Sequence, residues 1–256
     1  MPDKSLGQHW LRDRDVLAHI ADSAGITDNE TVLEIGPGLG TLTSELLRRA
    51  DKVVAVEFDP ELARKLPGQF PGKNLYVVND DILAFDLSEL PQGYKVVANV
   101  PYYITSKIVQ TLMTAANKPS IAVLLVQKEV AERLAAEPGD MSILAISAQV
   151  FAEVSLGDVV RAELFTPPPK VDSQVVIMHT RETPLVSPAD EQAFFRLVKA
   201  GFSAKRKKLR SSLSGGLGIA KDDVEKLLAT AAISPDIRAQ DLSIADWQRL
   251  MSANLL

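Results

Sequence analysis

Apolar positions along this chain follow two rhythms. Between Thr31 and Gln127, short and nearly continuous apolar runs alternate with stretches of helical spacing; the runs are Thr31 to Ile35, Lys52 to Val56, Leu75 to Val78, Tyr94 to Ala98 and Ile121 to Val126. Short runs rich in valine and isoleucine read as strands, those from Thr31 and from Tyr94 as buried ones, and their alternation with helices predicts βαβ units and a parallel sheet. Val16, Leu17, Ile20 and Ala21 recur at helical spacing within Asp15 to Ala24, which predicts a helix packed on that sheet. Thr41 to Arg49 and Lys128 to Ala136 also read as helices, and Ala148 to Val160 and Gln174 to His179 as two further strands forming a closing hairpin. The polar segment Glu182 to Pro188, with Pro184 and Pro188, reads as a linker. Beyond it only helical patterns occur, including Asp222 to Ala232 and Ile244 to Ser252. The expected architecture is an α/β domain over residues 1–183 followed by a small all-helical domain over residues 184–256.

The residues that end the strands carry the chemistry. Asn99-Val100-Pro101-Tyr102-Tyr103 follows the run Tyr94 to Ala98, and N-x-P-Y at a strand end suits methylation of an exocyclic amino group. An adenine amine is a poor nucleophile because its lone pair is delocalised into the ring. A site for it accepts hydrogen bonds from its protons and stacks the base. Asn99 Oδ1 and a nearby backbone carbonyl can accept, and Tyr102 can stack, a contact worth about 1–3 kcal/mol. Pro101 fixes φ and biases Val100 to extended geometry. A proline ending a strand and tyrosines capping a core would read the same way in isolation.

Three further strand ends change that balance. Gly36-Pro37-Gly38-Leu39-Gly40 follows the first run and lets backbone approach a ligand closely. A dinucleotide fingerprint would need glycine at position 41, which is Thr41. The second run ends in Glu57, about twenty residues beyond the glycines, where a nucleotide-binding sheet places its acceptor for ribose hydroxyls. The third ends in Asn79-Asp80-Asp81, where a carboxylate can accept from an adenine amine; Asp80 and Asp81 compete for that role.

The 256 residues contain no cysteine, which removes disulfides, thiolate nucleophiles and cysteine-ligated metals from consideration. No stretch resembles a signal peptide or a bilayer span, so a soluble cytoplasmic protein is expected. The net charge of −5 argues against a nucleic-acid partner, but its distribution does not. Lys199, Lys205, Arg206, Lys207, Lys208 and Arg210 cluster after Ala193-Phe194-Phe195, on what reads as one helix followed by a turn. Such a cluster can neutralise phosphates while acids elsewhere suppress indiscriminate binding; a solvated basic helix is the alternative.

Lys4 to Leu11, Glu34 to Thr43, Val56 to Asp59, Asn99 to Ile104, Thr166 to Ser173 and Phe202 to Leu213 together resemble the ribosomal RNA adenine dimethylase family, in the family's order and across nearly the whole chain. Within it, the small-subunit (16S) dimethyladenosine transferases are the nearest match. The resemblance implies a Rossmann-like class I methyltransferase sheet, S-adenosylmethionine as cofactor, no metal, and N6,N6-dimethylation of two adjacent adenosines near the 3′ end of small-subunit rRNA. It implies that Gly36 and Gly38 approach the methionine part of the cofactor, that Glu57 takes the ribose hydroxyls and Asp81 the adenine amine, and that His9, Leu11 and Asn99 add contacts, Leu11 through its backbone. Asn99, Pro101 and Tyr102 would form the acceptor site, with Phe165 closing the other face of the base. Lys205, Arg206, Lys207, Lys208 and Arg210 would face rRNA on the small ribosomal subunit. A monomer acting on RNA, with no DNA or membrane partner, is expected.

The chain departs from the family at His9, where Asn is usual, and at Trp10, where Phe is usual. A cofactor contact and a packed structural histidine are both compatible with His9, and Phe165 can equally be ordinary core. Three other functions share parts of the pattern. A large-subunit rRNA methylase shares N-x-P-Y but not the long P-P-P-K-V-D-S segment. A DNA adenine methylase would show an acidic D-P-P-Y motif. A non-catalytic assembly factor would not need Asn99, Tyr102 and the glycine loop intact.

Overall fold

A computed structural model of the chain describes residues 9–254; residues 4–8 of the N-terminal motif lie outside the described residues. The strands are β1 (Trp10–Leu11), β2 (Thr31–Ile35), β3 (Lys52–Glu57), β4 (Leu75–Asn79), β5 (Lys95–Asn99), β6 (Ile121–Gln127), β7 (Ala152–Val160), β8 (Phe165–Thr166) and β9 (Ser173–Thr180). A seven-stranded sheet runs in the order β4-β3-β2-β5-β6-β9-β7. Strands β2 to β6 pair in parallel, and the hairpin β7–β9 adds on antiparallel through β9 and β6. Outside this sheet β1 and β8 pair with each other, Trp10 opposite Thr166 and Leu11 opposite Phe165.

The helices are α1 (Arg14–Asp22), α2 (Thr41–Leu46), α3 (Pro60–Lys65), α4 (Thr105–Thr114), α5 (Lys128–Leu134), α6 (Ile143–Gln149), α7 (Glu191–Gly201), α8 (Leu209–Leu217), α9 (Lys221–Thr230) and α10 (Ile244–Asn254). Asp13 caps α1 by accepting from the Asp15 and Val16 N–H groups. Asp59 does the same for α3, with Pro60 at the first helical position. The α1 residues Leu17, Ile20 and Ala21 pack with Val32, Val53, Val97 and Val123 of the sheet in one core, the arrangement the helical spacing predicts.

The described chain divides into two compact units. The first runs to Glu132 and includes Ala152–Arg181; the second takes Arg133–Phe151 together with the residues from Glu182 onward. The division expected after residue 183 did not anticipate that Arg133–Phe151 joins the C-terminal helices. Backbone bonds hold it there: the Gly139 and Met141 N–H groups donate to Gln240 O, and Leu185 N–H to Val150 O. In this unit Leu197, Leu213, Val224, Leu228, Trp247 and Leu250 are buried. Gly201 and Gly216 permit its tight packing, since a Cβ would fall 2.3 Å from the Trp247 ring and 2.5 Å from Ala200 Cα respectively.

Two sequence expectations are corrected here. Ala148 to Val160 is not one strand; Ser142 caps α6 through the Ala145 N–H, the helix runs to Gln149, and β7 starts only at Ala152. The strand expected over Leu75 to Val78 forms as β4 and takes the sheet edge, where Tyr76 is largely exposed under the Lys52 ammonium, 4.3 Å above its ring. The basic segment is one helix and a turn, as expected, but continues into a second helix: α7 ends at Gly201, a 3-10 turn covers Phe202–Ala204, and α8, which carries Arg210, begins at Leu209.

Candidate active site

Neighbouring strands β2 and β5 lead away in opposite directions across the sheet, β2 towards β3 and β4, β5 towards β6. A parallel sheet opens a crevice beyond its carboxyl ends at such a reversal. A cavity of about 330 Å³ lies there, lined from the glycine loop, the ends of β3, β4 and β5, and β1, within the size range of small-molecule sites.

The glycine loop and the two acids form one half of this cavity. Gly36, Gly38 and Gly40 all have positive φ, at 64°, 56° and 78°, a conformation that costs a side-chain-bearing residue energy. A Cβ on Gly36 would meet nothing within 4 Å, so its backbone borders open space, whereas one on Gly40 would meet Leu66 Cδ1 at 2.7 Å. Glu57 is buried, and one carboxylate oxygen accepts from the Gly38 N–H at 3.0 Å, the other from the Asp59 N–H at 2.8 Å. Burial raises its pKa, against the lowering effect of these amide bonds. Asp81 Oδ1 accepts from the Leu83 N–H, and Asp80 Oδ1 from the Asp81 N–H; both acids line the cavity. Thr41, at the position a dinucleotide fingerprint would reserve for glycine, donates its hydroxyl to Leu11 O at 3.0 Å. The Leu11 side chain is buried in the core, so only its backbone is available at the site, and that carbonyl fastens β1 over the loop.

Asn99 and Tyr102 form the other half. Asn99 Nδ2 donates to His9 O at 3.3 Å, which leaves Oδ1 without a partner among the described residues. Pro101 has φ −60° and ψ 128°, and its carbonyl accepts from Thr105 Oγ1. The Tyr102 hydroxyl and Ser173 Oγ lie 2.6 Å apart, and burial raises the phenol pKa. The His9 imidazole stacks on the Tyr102 ring, centroids 5.8 Å apart and planes 20° from parallel. Its Nδ1–H donates to Pro167 O at 2.8 Å. His9 therefore ties Tyr102 to the triple-proline loop, and its ring is engaged on that side rather than with the glycine loop.

Phe165 is not at the cavity. It is 2% exposed, sits in β8 opposite Leu11, and packs with Leu11, Leu17 and Val175 in the core. The pairing of β8 with β1 turns its side chain inward, so a second stacking wall from Phe165 does not exist in this arrangement. The basic residues also divide. Lys208 bridges Asp236 at 3.0 Å, and Arg210 bridges Glu225 at 3.0 Å and Asp236 at 3.6 Å. Lys205, Arg206 and Lys207 are exposed and form no ion pair among the described residues.

Several lining residues escaped the sequence reading. Phe58 and Ile82 follow the two acids and line the cavity, Phe58 60% exposed, and Tyr103 stands 64% exposed beside Lys107. Glu34 is 1% exposed, accepts from Thr43 Oγ1 at 2.6 Å, and has its pKa raised to about 8 by burial, with the Glu57 charge adding to the shift. A lone glutamate inside an apolar strand was the available signal. Trp10 Nε1 is buried without a partner among the described residues. Backbone open to the cavity at Gly36 and acids lining the same space fit an elongated ligand carrying hydroxyls and an amine, as S-adenosylmethionine does.

Comparison with known proteins points the same way. The family model for ribosomal RNA adenine dimethylase matches residues 2–254. Ribosomal RNA small subunit methyltransferase A of Dehalococcoides mccartyi strain CBDB1 is 42% identical over 251 residues, 96% of this chain and 86% of that protein. The protein of the same name from Streptococcus pneumoniae serotype 2 is 39% identical over 263 residues, 98% of this chain and 91% of its own. Among solved structures, the 23S rRNA methyltransferase ErmE superposes with a TM-score of 0.76 at 31% identity, covering 95% of this chain and 98% of that one. A dimethyladenosine transferase from Plasmodium falciparum superposes at 0.81 with 28% identity, covering 94% and 96%. With the family model spanning residues 2–254 and relatives at 42% and 39% identity over nearly its whole length, this chain belongs to the ribosomal RNA adenine dimethylase family.

Proposed function

We propose that this chain uses S-adenosylmethionine to dimethylate N6 of two adjacent adenosines near the 3′ end of small-subunit rRNA during ribosome assembly. The observation that carries the reading is the fixed orientation of Asn99: with Nδ2 donated to His9 O, Oδ1 is free to accept from an amine entering beside Tyr102. Family membership and the names of the relatives at 42% and 39% identity support the substrate.

When bound, S-adenosylmethionine would supply an electrophilic methyl group, its S–CH3 bond breaking as the amine nitrogen bonds to carbon and S-adenosylhomocysteine leaving as the neutral thioether. Glu57, its carboxylate held by two backbone N–H groups, accepts from ribose hydroxyls, and Asp81 accepts from the adenine amine of the cofactor. Phe58 and Ile82 flank that ring. Asn99 Oδ1 would accept from the target amine while the Pro101 backbone holds the turn, which would orient the amine for transfer. Tyr102 stacks the target base, which leaves its RNA surroundings to reach the cavity. The amine proton leaves after transfer, to water. Lys205, Arg206 and Lys207 supply phosphate contacts.

Transfer of labelled methyl to small subunits lacking dimethyladenosine tests this reading. Label recovered as dimethyladenosine in small-subunit rRNA, and lost with Asn99→Ala, is expected. Label only in large-subunit rRNA would favour the alternative target suggested by the superposition on ErmE, and no label with subunit binding retained would leave an assembly factor.

A further inference from the structure

Of the rings that line the cavity, Tyr103 is the most exposed, at 64%. It follows Tyr102 in the 3-10 turn Tyr102–Ile104, which leads from β5 into α4. Tyr102 is engaged through its hydroxyl with Ser173 and through its ring with the His9 imidazole. The Tyr103 hydroxyl makes no hydrogen bond, and its ring no aromatic contact, among the described residues. Lys107, in the first turn of α4, lines the same cavity, is exposed, and forms no ion pair among the described residues. It is the one lysine or arginine of the lining. The lining acids Glu34, Glu57, Asp80 and Asp81 belong to β2, β3 and the end of β4, on the other side of the sheet reversal. A single exposed ring is ordinary on a protein surface; an unpartnered ring and an unpaired ammonium sharing one rim of a cavity are a more specific arrangement.

We infer that Tyr103 stacks on the nucleobase next to the target adenosine in the RNA strand, and that Lys107 meets the phosphate between the two nucleotides. This rests on reading the chain as an RNA adenine methyltransferase. When the target base turns out of its stack into the cavity, its neighbour loses a stacking partner while the strand holds it within one nucleotide of the cavity mouth. An exposed ring on the rim supplies a replacement face, and an aromatic side chain stacks on any base. The phosphate that links the two nucleotides passes the same rim, where an ammonium with no carboxylate partner is available to it. With two adjacent target adenosines the neighbour is the other target, so Tyr103 holds one adenosine while its partner reacts. Phe165, buried in the core, leaves this role open.

The test is methyl transfer to small ribosomal subunits lacking dimethyladenosine, measured against subunit concentration for the full chain, Tyr103→Ala, Tyr103→Phe and Lys107→Ala, with calorimetric binding of S-adenosylhomocysteine to each. Both residues are exposed, so none of these substitutions opens a cavity in the core. Tyr103→Ala is expected to raise KM for subunits about tenfold, the scale of one lost base stack, while Tyr103→Phe, which keeps the ring, stays within about twofold. S-adenosylhomocysteine affinity is expected to be unchanged in all three variants. Lys107→Ala is expected to reduce the slope of log subunit affinity against log salt by about 0.7, the share of one phosphate on a single strand. A KM that ignores Tyr103→Ala, a Tyr103→Phe as impaired as Tyr103→Ala, or a matching loss of S-adenosylhomocysteine affinity overturns the stacking role, and an unchanged salt slope overturns the Lys107 contact. In each of those cases transfer by the unsubstituted chain leaves the proposed function standing. No transfer by the unsubstituted chain overturns that function, and the inference with it.

Discussion

Asn99 and His9, separated by 90 positions in the chain, are joined by a bond from the Asn99 side-chain amide to the His9 carbonyl. The bond settles which end of the amide is free. A hydrogen-bond acceptor is thereby fixed at the end of β5, before any substrate arrives, at the cost of one contact from the N-terminal arm. Asn99→Ala is expected to lower the methyl-transfer rate by about two to three powers of ten, the scale of losing one preorganised polar group. Calorimetry should show S-adenosylhomocysteine affinity changed far less than the rate.

Glu57 holds the glycine loop as well as facing the cavity. In Glu57→Gln the side-chain NH2 would confront either the Gly38 or the Asp59 N–H, which both now donate to carboxylate oxygens. Affinity for S-adenosylhomocysteine should fall by about tenfold or more, read by calorimetry.

His9 acts between Tyr102 and the triple-proline loop. His9→Ala removes the 2.8 Å bond to Pro167 O and the stack on Tyr102. KM for the RNA substrate is expected to rise by about fivefold to tenfold, with S-adenosylhomocysteine affinity unchanged. An equal loss of cofactor affinity would instead put the imidazole at the cofactor.

Glu34 makes stability depend on pH. Its folded pKa of about 8 exceeds the ordinary 4.5 because burial penalises the charge. Below about 4.5 the group is protonated folded or unfolded; between 4.5 and 8 only the unfolded chain releases the proton, so stability falls as pH rises through that window. Glu57 is shifted in the same direction by burial. Glu34→Gln removes the Glu34 contribution. Its stability relative to the unsubstituted chain should grow between pH 5 and pH 8 by a few kcal/mol, on the order of 2–4, measured by denaturant unfolding.

The basic cluster divides into two classes of variant. Replacing Lys205, Arg206 and Lys207 together with alanine should weaken RNA binding and reduce the slope of log affinity against log salt by about 2–3, one unit or slightly less per phosphate contact. Lys208→Ala and Arg210→Ala should change that slope less, because those side chains are engaged with Asp236 and Glu225.

The periodicity of apolar residues was sufficient for the parallel sheet and for the helices on either side, because a strand buried on both faces and a helix buried on one face each leave a local pattern. Strand ends, glycine loop, acids and N-x-P-Y were legible for the same reason: βαβ geometry brings the carboxyl ends of successive strands to one crevice. The sequence lacked the information for contacts between distant segments. Asp13 to Val16 is a cap that can be read locally, but the pairing of β1 with β8, which buries Phe165 and ties His9 to Pro167, joins residues more than 150 positions apart. No pattern in either short strand predicts it. Likewise, the edge position of β4 and the membership of Arg133–Phe151 in the second unit depend on which neighbours remain once the strongest strands have paired. Local sequence determined the elements and the chemistry at their ends; tertiary packing decided which of those groups meet, because only the folded chain brings distant donors and acceptors within hydrogen-bond range.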